Sequence, residues 1–426
     1  MSGGADTRRE RKRCFVRRSV MRRGVRVRLY PSLEQESLLA RTAAAARRVY
    51  NLGLGVRRDY WQEDGISVST YDLMRMLPLW KEEFPWLSEV SDVALQQSLR
   101  NLDHAYANFF RACKGDGKSR FPRFKTRNSR RSFRLTKNGF RVRDGQLFIA
   151  KSKEPLEFRD KNYTLPENAS SVTISRDAAG RWHASFLVED VIEWPATTGG
   201  KAVGVDLGVK TLAVTSDGVE YANEKRLNLH LSRLRRYQRM MARRRPKPGH
   251  EASKNYRKAQ AKVARTHAKI ADGRRDRIHK ITTELARTYD VICIEDLAVK
   301  NMMRNRKLSR SIADASWSEF RHQLDYKTTW YGKRLLVVDR YTPTSKTCST
   351  PNCEGKNEKL ALSDREWVCT VCGTLHDRDL NAAKNILTAG LADSACGGNL
   401  RPASTDAGSP GETGKRSKQR AALSAA

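Results

Sequence analysis

Four cysteines fall within one short stretch, as Cys348-x4-Cys353 and Cys369-x2-Cys372 with 15 residues between the pairs. No other feature of the chain constrains its folding as tightly. Two sulfur pairs at this spacing read as a four-cysteine zinc ribbon, with Gly373 at the tight turn of the second knuckle. Four protein ligands leave no open position, so the single zinc is expected to be structural. The first knuckle is longer than the usual x2. The other cysteines, Cys14, Cys113, Cys293 and Cys396, are scattered singly. That usage fits metal binding in a reducing cytoplasm, not a disulfide framework.

Directly after the ribbon comes "HDRDLNAAKNI", in which Asp377 and Asp379 head a helix of small residues. Asn381, Ala382 and Ala383 would let that helix pack close to a sheet. His376 reads as a polar neighbour of these acids or, more commonly for such a position, as a surface histidine. Two further acids stand where acids are unwelcome. Asp206 ends the apolar strand "AVGV", and Glu295 ends the apolar strand "VICI". A carboxylate at the end of a core strand costs free energy unless something compensates it. One alone is more often a helix cap or half of a buried ion pair. Three, on separate elements of a β-β-β-α…β…α pattern, form a constellation. Gathered at one sheet edge, Asp206, Glu295 and Asp379 would hold two Mg²⁺ ions, since hard cations take oxygen ligands. One ion would activate water and the other would stabilise the leaving oxygen of a phosphodiester.

The charge balance points to the same substrate class. The chain has 426 residues with 82 Lys and Arg against 47 Asp and Glu, a net charge of +35. That charge repels itself in a compact fold and makes a polyanion, nucleic acid, the expected partner. A ribosomal-type or histone-like binder would carry the same charge. The chain has no apolar run of 18 residues, so no membrane span is expected. The N-terminal "MSGGADTRRERKRCFVRRSVMRRG" lacks the apolar core of a secretory signal.

Along the chain, "VRVRLYPS" (25–32) alternates as a strand, and Ser32 with Gln35 forms a capping box that starts a helix. A second helix is expected over 92–113, with Leu95, Leu99, Leu102, Tyr106 and Phe109 at steps of three and four. From Lys114 to Arg143, basic residues interleave with Phe121, Phe124, Phe133 and Phe140. Such a stretch suits a groove that neutralises phosphates and offers rings for stacking; each single Phe reads equally well as a core anchor. "SVTISRD" and "WHASFLVED" are strands with a turn at Gly180. Strands on both sides of the helical stretch imply one β-domain with helices inserted into it. Ala202–Asp206 and Thr211–Thr215 open a second domain. Residues 224–288 read as helical, broken at "RPKPGH". "DVICIED" and "RLLVVD" are strands, and the polar tail from Gly397 reads as disordered.

Together, "GVDLGVKTLAVTSDG", "ICIEDL", the four-cysteine insert and "HDRDLNAAKNI" resemble TnpB, the nuclease encoded by insertion-sequence transposons, which is similar to the small type V CRISPR effectors. "LSEV…ALQQSLRNLDHAYANFF" and "FPRFK" extend the resemblance over about residues 21–411. It implies an α/β multidomain fold: a RuvC-like, RNase H-type nuclease domain (196–345 and 376–395) holding the four-cysteine zinc ribbon (346–375), and a wedge-type β-barrel (21–32 and 114–195) interrupted by a helical recognition module (33–113). Residues 1–20 would be a disordered basic extension, and 396–426 a disordered tail. The resemblance implies catalytic, Mg²⁺-binding Asp206, Glu295 and Asp379, with Asp379 preferred to Asp377 as the ligand within "DRD". It also implies a guide RNA from the transposon end, double-stranded target DNA, and a monomer within the ribonucleoprotein, in the bacterial cytoplasm with the nucleoid. Matching stretches place Tyr71, Gln96 and Thr136 near a short motif beside the DNA target, and Arg123, Phe124 and Lys125 among the nucleic-acid contacts. Asp92 stands where a basic reader of that motif is expected.

The expected function is an RNA-guided, Mg²⁺-dependent DNA endonuclease. A compact type V CRISPR effector would use the same chemistry. An RNA-guided DNA-binding repressor or transposition accessory protein without cleavage would lack one of the three acids, and all three are present. A transposase in its own right would need a strand-transfer site, and there is no Tyr or His-x-His signature for one.

Overall fold

The computed structural model describes residues 18–115, 120–159, 164–193, 200–361 and 364–395. Its first unit is a sheet into which helices are inserted. Strand β1 (Arg18–Leu29) leads into α1 (Leu33–Asp64), α2 (Thr70–Arg75), α3 (Leu77–Glu83) and α4 (Asp92–Cys113). The chain then returns as β2 (Arg131–Thr136), the hairpin β3 (Phe140–Arg143) and β4 (Gln146–Ile149), β5 (Ser171–Arg176) and β6 (Trp182–Glu193). The Ser32–Gln35 capping box starts α1 as its sequence requires.

β1 begins at Arg18, earlier than the alternation at 25–32 indicated, because β6 offers a 12-residue antiparallel partner running from Trp182 to Glu193. Residues 18–20, expected to belong to a basic extension, are therefore in the strand; residues 1–17 lie outside the described residues. The four strands form a sheet in the order β1-β6-β5-β2, and the β3-β4 hairpin is separate. Among the described residues no pairing joins β2 to β1, so the strands make an open sheet capped by a hairpin where a closed barrel was expected. Isolated bridges at Leu29–Phe158 and Leu147–Leu156 fasten the hairpin region to the sheet. Phe133 and Phe140 are buried in the resulting core with Leu147, Ile174 and Phe186. Phe121 and Phe124, on the loop before β2, stay about half exposed, at 46% and 49%. The four phenylalanines thus divide by position, because strand residues that face inward must fill the core.

The second unit is a five-stranded sheet in the order β11-β10-β7-β8-β9. Its strands are β7 (Ala202–Asp206), β8 (Thr211–Thr215), β9 (Glu220–Ala222), β10 (Val291–Glu295) and β11 (Arg334–Val338). β7, β10 and β11 run parallel, and β8 and β9 turn back as an antiparallel meander. The long basic helices α5 (Arg226–Arg243) and α6 (Lys254–Thr288) form the hairpin broken at "RPKPGH". Short α7 (Val299–Met302) and α8 (Ser309–Ala315) precede α9 (Trp317–Trp330). α6, α8 and α9 bury Ile281, Leu285, Ile312, Phe320 and Leu324 against one face of the sheet. The other face is covered by α10 (Arg378–Ala395), which follows the small ribbon hairpin β12 (Glu366–Val368) and β13 (Leu375–Asp377). Strands buried on both faces explain the unbroken apolar runs of β7 and β10.

Gly204 sets how closely α10 approaches. A Cβ there would lie 2.0 Å from the Ala383 carbonyl oxygen and 2.7 Å from the Leu387 nitrogen, both helix backbone. Gly204→Ala is expected to push α10 off the sheet and to destabilise the fold by about 1–3 kcal/mol, as overpacking does. Gly24→Ala, where a Cβ meets nothing within 4 Å, should be near neutral. Thermal denaturation of the two variants side by side checks this; equal melting temperatures would show that the helix can give way.

No described helix is long and apolar enough to cross a membrane. The polar tail expected from Gly397 lies outside the described residues.

Candidate active site

The packing of α10 on β7 sets the three acids near one another, though among the described residues the four cysteines alone are spaced to hold a metal ion. Val203 and Val205 point into the core beneath the sheet, so Gly204 and Asp206 face α10. Gly204 touches the helix at Ala383; two residues further along the strand and one turn back along the helix stand Asp206 and Asp379. Glu295 comes from the neighbouring strand. β7 and β10 pair in register from Val291–Ala202 to Ile294–Val205, and the next step sets Glu295 beside Asp206 on the same face. Cys293, on that face too, packs with Ile386 of α10 and Val338.

Burial, then the charges of Asp379 and Glu295, push the Asp206 carboxyl up to about 7, against the opposing pull of the Leu207 backbone N–H and Arg378. Burial, then Asp296, also raises Glu295. Asp296 itself is taken up elsewhere. Burial works against its ionisation, but Arg321 and Arg340 both donate to it and hold its carboxyl below the usual range. Adjacent acids in "IED" therefore have separate duties, one facing the cluster and one in an ion pair.

"DRD" divides in the same way. The Asp377 carboxylate accepts the Leu380 backbone N–H at 2.8 Å and caps α10. Asp379 lies in the first turn of the helix, and Arg365 Nη1 donates to it at 3.1 Å. Arg365 comes from the loop before β12. Nothing in the sequence marked it, because its importance depends on the fold that carries it back to Asp379.

The cysteines form the only group of three or more possible metal-ligating side chains among the described residues whose ligand atoms all lie within 4.8 Å of one another. Cys348 and Cys372 Sγ are 3.7 Å apart, as are Cys353 and Cys369 Sγ. A tetrahedral zinc with Zn–S bonds of about 2.3 Å requires sulfurs about 3.8 Å apart, so the donor set and its spacing fit that ion. Gly373, at φ +72°, makes the expected tight turn. His376 is buried, not a surface residue: its Nε2 lies 3.0 Å from Cys348 Sγ and its ring packs on Trp367. An N–H donated to a ligating sulfur orients it and tempers its charge.

The ribbon is stapled to the helix. Asn381 and Asn385 donate to the Thr347 carbonyl at 2.8 and 2.6 Å, and Asn381 Oδ1 accepts the Ser349 N–H at 2.9 Å. Asn381 was expected to act through its small size, but it serves as a clamp. The i, i+4 spacing of the two asparagines in "NAAKN" was a readable signal of it. The first knuckle thus continues into the helix that bears Asp379.

The residues expected to contact nucleic acid are dispersed. Tyr71 is 76% exposed on α2. Gln96 is exposed on α4, and Thr136 ends β2 opposite Ser171. Asp92, in the position of the expected basic reader, is paired with Lys81 at 2.6 Å. Arg123 and Phe124 border open space. Lys125 does not: its ammonium sits 3.7 Å from the centre of the Tyr50 ring, burial lowers its pKa, and Asn51 clamps its backbone with hydrogen bonds of 2.8 and 2.9 Å. Within "FPRFK", this lysine anchors the loop.

Three family models match the chain: "Probable transposase" over residues 185–306, "Cas12f1-like, TNB domain" over 317–386, and "Helix-turn-helix domain" over 21–65. The last span corresponds to β1 and the single long helix α1. A protein of Streptomyces pristinaespiralis named "Putative RNA-guided DNA endonuclease" is 46% identical over 90% of this chain and 92% of its own length. The Escherichia coli K12 protein "Putative RNA-guided DNA endonuclease InsQ" is 33% identical over 87% of this chain and 92% of its own. Among solved structures, Cas12f1 in complex with sgRNA and target DNA aligns with a TM-score of 0.46 at 15% identity, over 86% of this chain and 98% of that one.

Proposed function

Since the chain belongs to the TnpB family, we propose that it is an RNA-guided DNA endonuclease, cutting DNA complementary to a guide RNA beside a short adjacent motif. The nuclease centre is Asp206, Glu295 and Asp379 on a RuvC-like, RNase H-type sheet (196–345 and 376–395), into which the zinc ribbon (346–375) is inserted. The first sheet, its helical insert and the basic α5–α6 hairpin hold the nucleic acids. The observation that carries the reading is the acid cluster: half-buried carboxylates from β7, β10 and α10, in which burial and then the charges of Asp379 and Glu295 raise the proton affinity of Asp206.

Such a cluster suits hard divalent cations. Mg²⁺, when bound by these three side chains, would supply an activated water and charge neutralisation at the scissile phosphate. The strand ends fix Asp206 and Glu295, while the asparagine clamps and the Asp377 cap fix the turn that carries Asp379. Sequence selection lies in base pairing, so the protein's part is to grip backbones. A net charge of +35 supplies that grip for any nucleic acid at low salt, and affinity under those conditions says nothing about specificity.

The test is cleavage of matched and seed-mismatched duplexes near physiological salt, with Mg²⁺, with and without the co-purifying RNA. The matched duplex should be cut only with RNA, and mismatches next to the adjacent motif should abort heteroduplex growth and prevent cutting. Equal cutting of both, or full activity without RNA, would leave an unguided nuclease. Binding of the matched duplex with RNA but no cutting would favour the repressor reading.

A further inference from the structure

Arginines approach the acid cluster from several elements. Arg365 donates to Asp379, and the charge of Arg378 acts on Asp206. Arg321, from α9, and Arg340, from the turn after β11, instead both pair with Asp296, so that one carboxylate meets two guanidinium groups. Asp296 is held in place, its backbone N–H donating to the Val338 carbonyl at 3.0 Å. Glu295, the residue before it, makes no ion pair with a described residue, and the charge that acts on it is that of Asp296. Val338 stands directly beside Glu295 in the β10–β11 register. Arg340 follows two residues later, at most about 7 Å along an extended chain, and its side chain is 43% exposed. Without Asp296, its guanidinium would have an unpaired carboxylate within reach.

We propose that Asp296 is a positioning residue: it holds Arg321 and Arg340 away from the acid cluster, so that the Glu295 carboxylate stays open to a divalent cation. A guanidinium matches a carboxylate with paired N–H groups and would occupy the oxygen lone pairs that a hard cation needs. The danger is general in this chain, where 82 Lys and Arg face 47 Asp and Glu. A composition suited to a polyanion leaves every open carboxylate exposed to capture by the protein's own cations. Within "IED" the second acid takes up the guanidinium groups and the first is left free. A structural link between α9 and β10 would be complete with Arg321 alone. The additional partner, Arg340, comes from the chain just past Val338, the neighbour of Glu295.

The inference rests on the reading of Asp206, Glu295 and Asp379 as a cation site, and its test separates the two. Mn²⁺, which takes the same oxygen ligands as Mg²⁺, is titrated into the RNA-free full chain and followed by the electron spin resonance of the unbound ion. An Asp206→Ala/Asp379→Ala variant supplies the background. Asp296→Asn should weaken Mn²⁺ binding about tenfold or more, because a hydrogen bond between charged groups must first be broken. Arg340→Gln alone should bind as the wild type does, and Asp296→Asn/Arg340→Gln should recover most of the loss. Metal-free melting temperatures of the four proteins should match, since in Asp296→Asn a pair between Glu295 and Arg340 replaces the one removed. Undiminished Mn²⁺ binding by Asp296→Asn, no recovery in the double variant, or a fall in melting temperature that the double variant repairs would each overturn the assignment and leave a structural ion pair. Wild-type binding no greater than the background would overturn the cation site itself, and the role of Asp296 with it.

Discussion

Replacing Asp206, Glu295 or Asp379 with Ala is expected to lower guided cleavage on the order of 10³-fold or more while leaving RNA and DNA binding nearly unchanged. Charge stabilisation by a bound metal is worth several kcal/mol at the transition state, and each 1.36 kcal/mol is tenfold in rate. Each substitution removes one proposed ligand from a site where three elements converge, yet alters little of a net charge of +35. Binding and cutting should therefore separate cleanly. Asp377→Ala should be milder. It removes the cap that accepts the Leu380 N–H, worth about 0.5–2 kcal/mol of helix stability, and leaves the cluster itself intact. The measurements are single-turnover cleavage and filter binding on the same preparations. Cutting by Asp379→Ala together with failure of Asp377→Ala would reverse the assignment within "DRD".

The second large effect concerns zinc. One ion per chain is expected, and Cys369→Ser or removal by a strong chelator should unfold the ribbon and abolish cleavage. Binding free energies of structural zinc run to about 10–16 kcal/mol, comparable with or greater than the roughly 5–15 kcal/mol that holds a whole domain folded. The local loss should spread to the acid cluster by two routes. The asparagine clamps end on Thr344, Thr347 and Ser349, beside Cys348. Arg365, which donates to Asp379, lies between the knuckles. Hydrogen exchange should then show lost protection over about residues 344–381, with the core strands β7 and β10 still protected. Elemental analysis that finds no zinc in active protein would sink this prediction, and chelated protein that still cuts would show that the ribbon does not position Asp379.

The position of the ribbon directly before "DRD" has a mechanical explanation. A helix whose first turn bears a functional carboxylate has a frayed end by default, since its initial N–H groups lack partners. Here the cap from Asp377, the clamps from Asn381 and Asn385, and the packing of Ala383 against Gly204 remove that freedom. A zinc ion held by the four cysteines would brace the chain on which the clamps act.

Periodicity and charge determined much of this protein. Apolar runs bounded by polar turns marked β7, β8, β10 and β11, because strands covered on both faces must be apolar throughout. The cysteine spacing marked the four-cysteine cluster, because a tetrahedral shell of sulfur tolerates few loop lengths. Acids at the ends of core strands marked the cluster, because uncompensated charge is not left in such places without cause. The tertiary structure alone decided what depends on contacts distant in sequence. It turned His376 inward to Cys348, Arg365 onto Asp379 and Lys125 onto Tyr50. It sorted four phenylalanines in one basic stretch into two core residues and two open rings, and it left the first sheet open where a barrel was expected. Local patterns carry the energies of local choices. Which distant partner a buried ring or ammonium meets is set by how whole elements pack, and a linear pattern does not carry that information.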